Sequence, residues 1–101
     1  MPEIKLELDT LNTGAFNMHS GSQKVGTLLL NIDDSTLMAF HTEVAQKSRG
    51  KGYAKKLFDE MVTYAKAQNL KVVPLCPYIR SQFKKNPGKY SDLWEKIRIK
   101  L

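Results

Sequence analysis

Arg49-Gly50-Lys51-Gly52-Tyr53-Ala54 sits where one hydrophobic rhythm gives way to another. Upstream, Ile4, Leu6 and Leu8 alternate with Lys5, Glu7 and Asp9, and that period of two predicts a half-buried strand. Downstream, Ala54, Leu57, Phe58, Met61, Val62 and Ala65 recur at spacings of three and four. Lys55, Lys56, Asp59, Glu60, Thr63 and Lys66 fill the other face, so an amphipathic helix is expected from Gly52 to about Gln68. The glycine stretch therefore joins a strand to the N-terminus of a helix. Two glycines let the backbone turn tightly and approach a ligand closely. The first amides of a helix have no internal acceptor, and the macrodipole adds partial positive charge there. A phosphate is the fitting guest, and Arg49, Lys51, Lys55 and Lys56 reinforce the attraction. The same residues also suit a plain Gly-rich turn with a solvated basic helix start.

Working outward, Asn12-Thr13-Gly14 reads as a turn, residues 15–19 as a second strand and Ser20-Gly21-Ser22 as a hairpin turn. Residues 25–32 read as a third, more buried strand, Asp33-Asp34-Ser35 as a turn and residues 36–44 as a fourth strand. The first part of the chain is thus an antiparallel meander. Beyond the helix, Asn69 suits a C-cap, and the β-branched apolar residues 70–75 suit a central strand. Pro77 ends that strand and takes the first position of a shorter helix over residues 78–85, which Asn86-Pro87-Gly88 stops. Residues 91–101 form a last helix or strand. The helix between the fourth and fifth strands makes a βαβ crossover. The fold class is α/β in the α+β sense. A mixed, mostly antiparallel sheet carries one long helix after the fourth strand and a shorter helix after the fifth.

A chain of 101 residues is one domain, residues 1–101, with little room for a separate substrate domain. Apolar residues make up 42% and charged residues 26%, a balance that builds a core rather than a disordered chain. The net charge of +6 favours anionic partners without choosing among them. A nucleic-acid surface calls for basic residues interleaved with aromatics on one face. Here acids such as Glu43, Asp59 and Glu60 stand among the bases, so nucleic acid ranks last. Cys76 is the single cysteine, which excludes an internal disulfide and suits a reducing compartment. Residues 1–9 lack the continuous apolar stretch of a signal peptide, and Leu28-Leu29-Leu30 is too short to span a membrane. A cytoplasmic protein without membrane attachment is expected, monomeric or weakly homo-oligomeric.

Arg49-x-x-Gly52-x-Ala54 resembles the pyrophosphate-binding motif of the GNAT N-acetyltransferase superfamily, written Gln/Arg-x-x-Gly-x-Gly/Ala. His41-Thr42-Glu43-Val44, Val72-Val73-Pro74-Leu75-Cys76-Pro77-Tyr78 and Asn86-Pro87 extend the likeness to the small YjdJ-type GNAT-like family, over about residues 40–93. The resemblance implies a GNAT-like fold whose fourth strand splays from the fifth. It implies acetyl-coenzyme A as co-substrate, with no metal. Pantetheine would lie in the gap against main-chain groups near Thr42 and Val44. The pyrophosphate would rest on the loop Arg49, Gly50, Lys51, Gly52, Tyr53, Ala54, with Lys55 and Tyr78 also at the cofactor. The acetyl group would end near Cys76 and His41, open to direct attack by a primary amine whose identity is unknown. Ordinary members carry one or two helices between their first two strands, and these form much of the acceptor site. Here only residues 10–14 connect those strands.

Each candidate catalytic residue keeps two readings. Cys76 is a buried inert thiol or a thiol that takes the acetyl group. His41 is a packed, hydrogen-bonded side chain or the base that activates Cys76. Glu43, two residues on along the same strand face, is a second base or a solvated rim charge. Tyr78 returns a proton to the leaving thiolate or simply packs. Tyr64, Phe58 and Met61 are packing residues, and Arg80, Lys84 and Lys85 form a solvated face or attract the ribose phosphate of coenzyme A or an acidic partner. Trp94 anchors the tail. The two leading functions are an N-acetyltransferase and a module that holds acyl-coenzyme A or another nucleotide without efficient transfer.

Overall fold

The computed structural model describes residues 2–95. Five strands run in order along one sheet: β1 (Glu3–Leu8), β2 (Thr13–Ser20), β3 (Gln23–Asp33), β4 (Thr36–Val44) and β5 (Lys71–Pro74). The first four pair antiparallel as a meander, and β5 joins β4 in parallel. Helix α1 (Tyr53–Ala67) makes the crossover, followed by α2 (Pro77–Lys85) and the single turn α3 (Pro87–Tyr90). The mixed, mostly antiparallel sheet with a long and then a shorter helix is the architecture expected from the periodicities.

Local chemistry explains the element ends. Helix α1 closes on Asn69 at φ 58°, with the Leu70 amide donating to the Ala65 carbonyl and the Asn69 amide to the Lys66 carbonyl. This is the double bond of a Schellman ending, for which Asn tolerates the left-handed conformation. Pro77 opens α2, where its missing N–H costs nothing.

Two readings change. The first turn spans residues 9–12, and Gly14 lies inside β2, paired with Leu8. Asp9 draws the turn back by accepting from the amides of Leu11 (2.8 Å) and Thr13 (3.0 Å). Gly14 serves close strand approach instead, since a Cβ there would stand 1.9 Å from the Glu7 carbonyl oxygen. Asn86-Pro87-Gly88 does interrupt α2, but Pro87 immediately starts α3. The tail then adds Trp94 to β5 as a parallel bridge to Val72. The remainder of the expected last helix or strand, residues 96–101, lies outside the described residues.

Packing is one-sided. Phe16, Met18, Leu28, Leu30, Leu37, Ala39 and Val72 form one cluster with Leu57, Phe58, Met61 and Ala65 of α1 and with Ile79 and Phe83 of α2. Phe58 and Phe83 meet edge to face at 5.6 Å, and Tyr90 joins both at 5.3 Å. Trp94 closes the group against Phe83 at 5.6 Å, as an anchor for the tail should. The other face of the sheet, which carries Glu7, Asn17, Thr27, Leu29, His41 and Glu43, has no helix on it among the described residues. No described helix is long and apolar enough to cross a membrane.

Candidate active site

The site begins where β4 and β5 part. Their parallel pairing runs from Thr36 opposite Lys71 to Ala39 opposite Pro74 and stops. At the fork the Ala39 carbonyl accepts from both the Leu75 amide (3.0 Å) and the Cys76 amide (2.9 Å). Arg80 braces the same point, its guanidinium reaching the Pro74 carbonyl at 3.3 Å. Beyond Ala39, residues 40–44 keep β3 as a neighbour but no longer have β5. Among the described residues, one edge of their main chain therefore has no strand beside it and can take another partner.

A β-bulge sits at the same point. Leu30 faces Ala39 while Leu29 faces His41, leaving Phe40 as the extra residue. The bulge reverses which side chains face the helices. Leu37 and Ala39 point inward before it, and Thr42 and Val44, paired with Leu28 and Gly26, point inward after it. His41 and Glu43 consequently lie on the open face. Their closest atoms are 4.0 Å apart, and more than half of each side chain is in solvent, a weak pair in water.

Cys76 is 2% exposed at the N-cap of α2, and its Sγ lies 3.6 Å from Oγ1 of Thr42. The fold does bring the ends of the two strands together, as the pairing of Cys76 with His41 required. The thiol nevertheless meets Thr42, while His41 pairs with Glu43 on the other face. Thr42 was expected as a main-chain contact only. Its hydroxyl as the thiol's partner could be found from sequence only through the inward positions, which shift from odd (37, 39) to even (42, 44) numbers.

The glycine stretch follows a short 3₁₀ turn (Gln46–Ser48) in which Ser48 is buried. Gly50 and Gly52 hold φ of 83° and 75°, the left-handed region that glycine enters without penalty. Gly52 is the N-cap of α1, no side chain caps the helix, and its first turn carries no acid. The first bond of this helix runs from the Lys56 amide to the Gly52 carbonyl, so the amides just before Lys56 lack intrahelical acceptors. A Cβ on Gly50 or Gly52 would meet nothing within 4 Å, so the space above the loop is open. Lys51 and Lys56 flank the Tyr53 ring at 6.0 and 5.8 Å. Lys55 instead bonds Asp59 at 2.6 Å, and that contact raises its pKa above the ordinary lysine value.

Two adjoining cavities link the loop to residues 41–44 of β4. A cavity of about 410 Å³ is lined by His41, Thr42, Glu43, Val44, Arg49, Ala54 and Tyr78. A second, of about 260 Å³ over the glycine loop, shares Val44, Arg49, Ala54 and Tyr78 with it. Tyr78, half-buried at the start of α2, forms the far wall. Burial pushes its phenol above the ordinary value of 10.0, with the Lys55 ammonium opposing the shift. The phenol is therefore a proton donor at neutral pH. A separate cavity at the far end, about 260 Å³ and lined by Lys66, Lys71 and Lys89 among others, contains none of these residues.

An anion at the helix N-terminus and an extended chain lying along the unpaired edge of β4 are what these cavities can accommodate. Comparisons bear on the fold and the family. The chain is similar to the crystal structure of a ribosomal-protein-alanine N-acetyltransferase from Brucella melitensis biovar Abortus 2308, at TM-score 0.58 and 20% identity. The match covers 86% of this chain and 64% of that one, and at this identity it shows the fold alone. A search of curated proteins returned no match. The sequence model of the family described as GCN5-related N-acetyl-transferase matches residues 15–93, and the chain, carrying that fold and those cavities, belongs to this family.

Proposed function

We propose that this chain transfers the acetyl group of acetyl-coenzyme A to a primary amine. The observation that carries the reading is the pair of adjoining cavities that run from the uncapped N-terminus of α1 to residues 41–44 of β4, beyond the point where its pairing with β5 stops. The amides of residues 52–55, with Arg49 and Lys51, take the pyrophosphate. Pantetheine lies along the free edge of β4 beside Thr42 and Val44, and the thioester reaches the fork. The amine nitrogen attacks the carbonyl carbon, a C–N bond forms and the C–S bond breaks. Glu43 or His41 takes the proton the amine sheds, and Tyr78 donates one to the departing thiolate. Cys76, held by Thr42, lines the carbonyl end or accepts the acetyl group transiently. Residues 1–101 act as one domain of the small YjdJ-type, cytoplasmic, monomeric or weakly self-associating.

The open acceptor side favours the second reading, a module that holds acyl-coenzyme A without efficient transfer. β1 and β2 are joined directly by the turn at residues 9–12, so no helix walls the fork there. Two measurements decide. Acetyl-coenzyme A should shift the amide resonances of residues 40–44 and 49–55; no shift at millimolar ligand removes both readings. An amine panel then separates them, because a holding module binds without turnover. Intact-mass analysis of the wild-type chain and Cys76→Ala, each incubated with acetyl-coenzyme A alone, assigns Cys76. A covalent route gives one added acetyl group in the wild type only.

A further inference from the structure

The two edges of the sheet are finished differently. At β5 the Val72 amide donates to the Leu93 carbonyl, the Glu95 amide donates to the Val72 carbonyl, and Pro74 has no N–H to offer. At the opposite edge β1 runs through Glu3–Leu8 with no proline, no bulge and, among the described residues, no strand on its outer side. Its pairing with β2 fixes which groups point outward. Asp9 and Thr13 continue the register, and the Asp9 amide donates to the Thr13 carbonyl, so the odd positions form the hydrogen-bonded pairs with β2. The N–H and C=O groups of Ile4, Leu6 and Leu8 therefore point away from the sheet. The side chains of these three lie half-buried at the rim of the core, while Glu3, Lys5 and Glu7 stand exposed on the open face.

A strand added to this edge must exchange its bonds with those even positions, and the sequence of β1 is suited to pairing with itself. A second copy laid antiparallel about a two-fold axis meets the even positions only if the axis passes through a residue. An axis through Lys5 sets Lys5 against Lys5, and one through Glu7 sets Glu7 against Glu7, like charges directly opposite. An axis through Ile4 puts Leu6 against Pro2, which has no N–H, and leaves Leu8 unpaired. An axis through Leu6 pairs Leu6 with Leu6, Ile4 with Leu8, and Lys5 with Glu7 on both sides of the axis. Glu7 accepts from Asn17 through Oε1 at 2.8 Å, which leaves Oε2 for a lysine, and Lys5 makes no ion pair among the described residues. We infer that β1 joins a second copy of this chain, edge to edge and antiparallel about Leu6. The axis is perpendicular to the sheet, so the two meanders form one continuous sheet with all the helices on one face. Ile4, Leu6 and Leu8 of the two copies cover one another, and the isologous contact closes at two. The fork lies on β4, three strand spacings or about 14 Å from β1, so the inference stands independently of the acetyltransferase reading.

A contact of this size gives a weak dimer. Sedimentation equilibrium of the full chain should show the mass rising from one copy toward two between about 10 µM and about 1 mM. Lys5→Glu sets like charges opposite each other on both sides of the axis and should raise the dissociation constant at least about tenfold. Lys5→Glu combined with Glu7→Lys restores opposite charges and should bring it back to within about threefold of the wild type. Both side chains are exposed, so the fold should survive, which amide spectra check. Disulfide capture reads the register. Lys5→Cys mixed with Glu7→Cys should cross-link far more than either variant alone, because position 5 of one copy faces position 7 of the other. Cys76 is 2% exposed and stays out of that reaction. A single-copy mass throughout the range, no weakening by Lys5→Glu, no recovery in the charge-exchanged variant, or equal cross-linking by either cysteine variant alone would each overturn the inference.

Discussion

The aromatic group under the helices and the fork beside it use the same two elements for opposite ends. Phe58 of α1 and Phe83 of α2 are fully buried, and their rings interlock with Tyr90 and Trp94. A few residues away on the same helices, Ala54, Lys55 and Tyr78 line an open groove. In the first region apolar surface is removed from water and nothing is left to react. In the second, amides and cations stay open to solvent and the Tyr78 phenol is only half-buried, which gains little stability and leaves partners for a ligand. A small domain can keep such a region only if the other one holds it rigid.

The largest expected effect tests that division. Phe58→Ala removes the ring at the centre of the aromatic group and should cost about 3–5 kcal/mol of folding stability. Thermal or denaturant unfolding measures it, and the folded fraction should still bind acetyl-coenzyme A. A loss under about 1 kcal/mol would mean that the fork does not depend on this group.

Gly52→Val strikes the other region. Its φ of 75° should cost a β-branched residue about 1–2 kcal/mol of stability. The added methyls should also weaken acetyl-coenzyme A binding at least about tenfold, or about 1.4 kcal/mol. Titration calorimetry on the folded variant separates the two costs. Unchanged affinity would put the phosphates elsewhere and dissolve the contrast between the regions.

The smallest effect concerns Tyr78, which belongs to both. Its phenol is raised in the folded chain, mainly by burial. Below the unfolded value both states keep the proton and pH makes no difference. Above about 10 the unfolded chain loses its proton first, so folding stability declines until the folded phenol ionises as well. Melting curves between about pH 9 and pH 11 should fall more steeply for the wild type than for Tyr78→Phe. Parallel curves would mean that the ring is no more shielded than one in water.

Much of the fold was legible in the chain because its signals are short. The alternation Ile4, Leu6, Leu8 and the three-and-four spacing from Ala54 to Ala65 each report one element's own buried face. Asn69 and Pro77 mark helix ends through the backbone geometry those residues allow. Gly14 misled, because a glycine serves a turn and a close strand contact equally well, and only the neighbouring Glu7 carbonyl decides which. For the candidate site, the glycine loop and the stretches on either side of the fork were readable, but the way their side chains meet was not.

By itself, then, the sequence determined the elements, their order and the phosphate-suited loop, since propensity, capping and periodicity act over a few residues. Tertiary structure decided the rest. Pairing with β3 introduced the bulge at Phe40, and that one extra residue turned His41 and Glu43 to the open face and Thr42 toward Cys76, thirty-four positions away. Parallel pairing with β5 ended at Ala39 and Pro74, opening the fork. Both helices settled on one face, which left the other, with His41 and Glu43, without a helix over it among the described residues. These outcomes depend on register between distant strands, where a shift of one residue exchanges the two faces of a sheet.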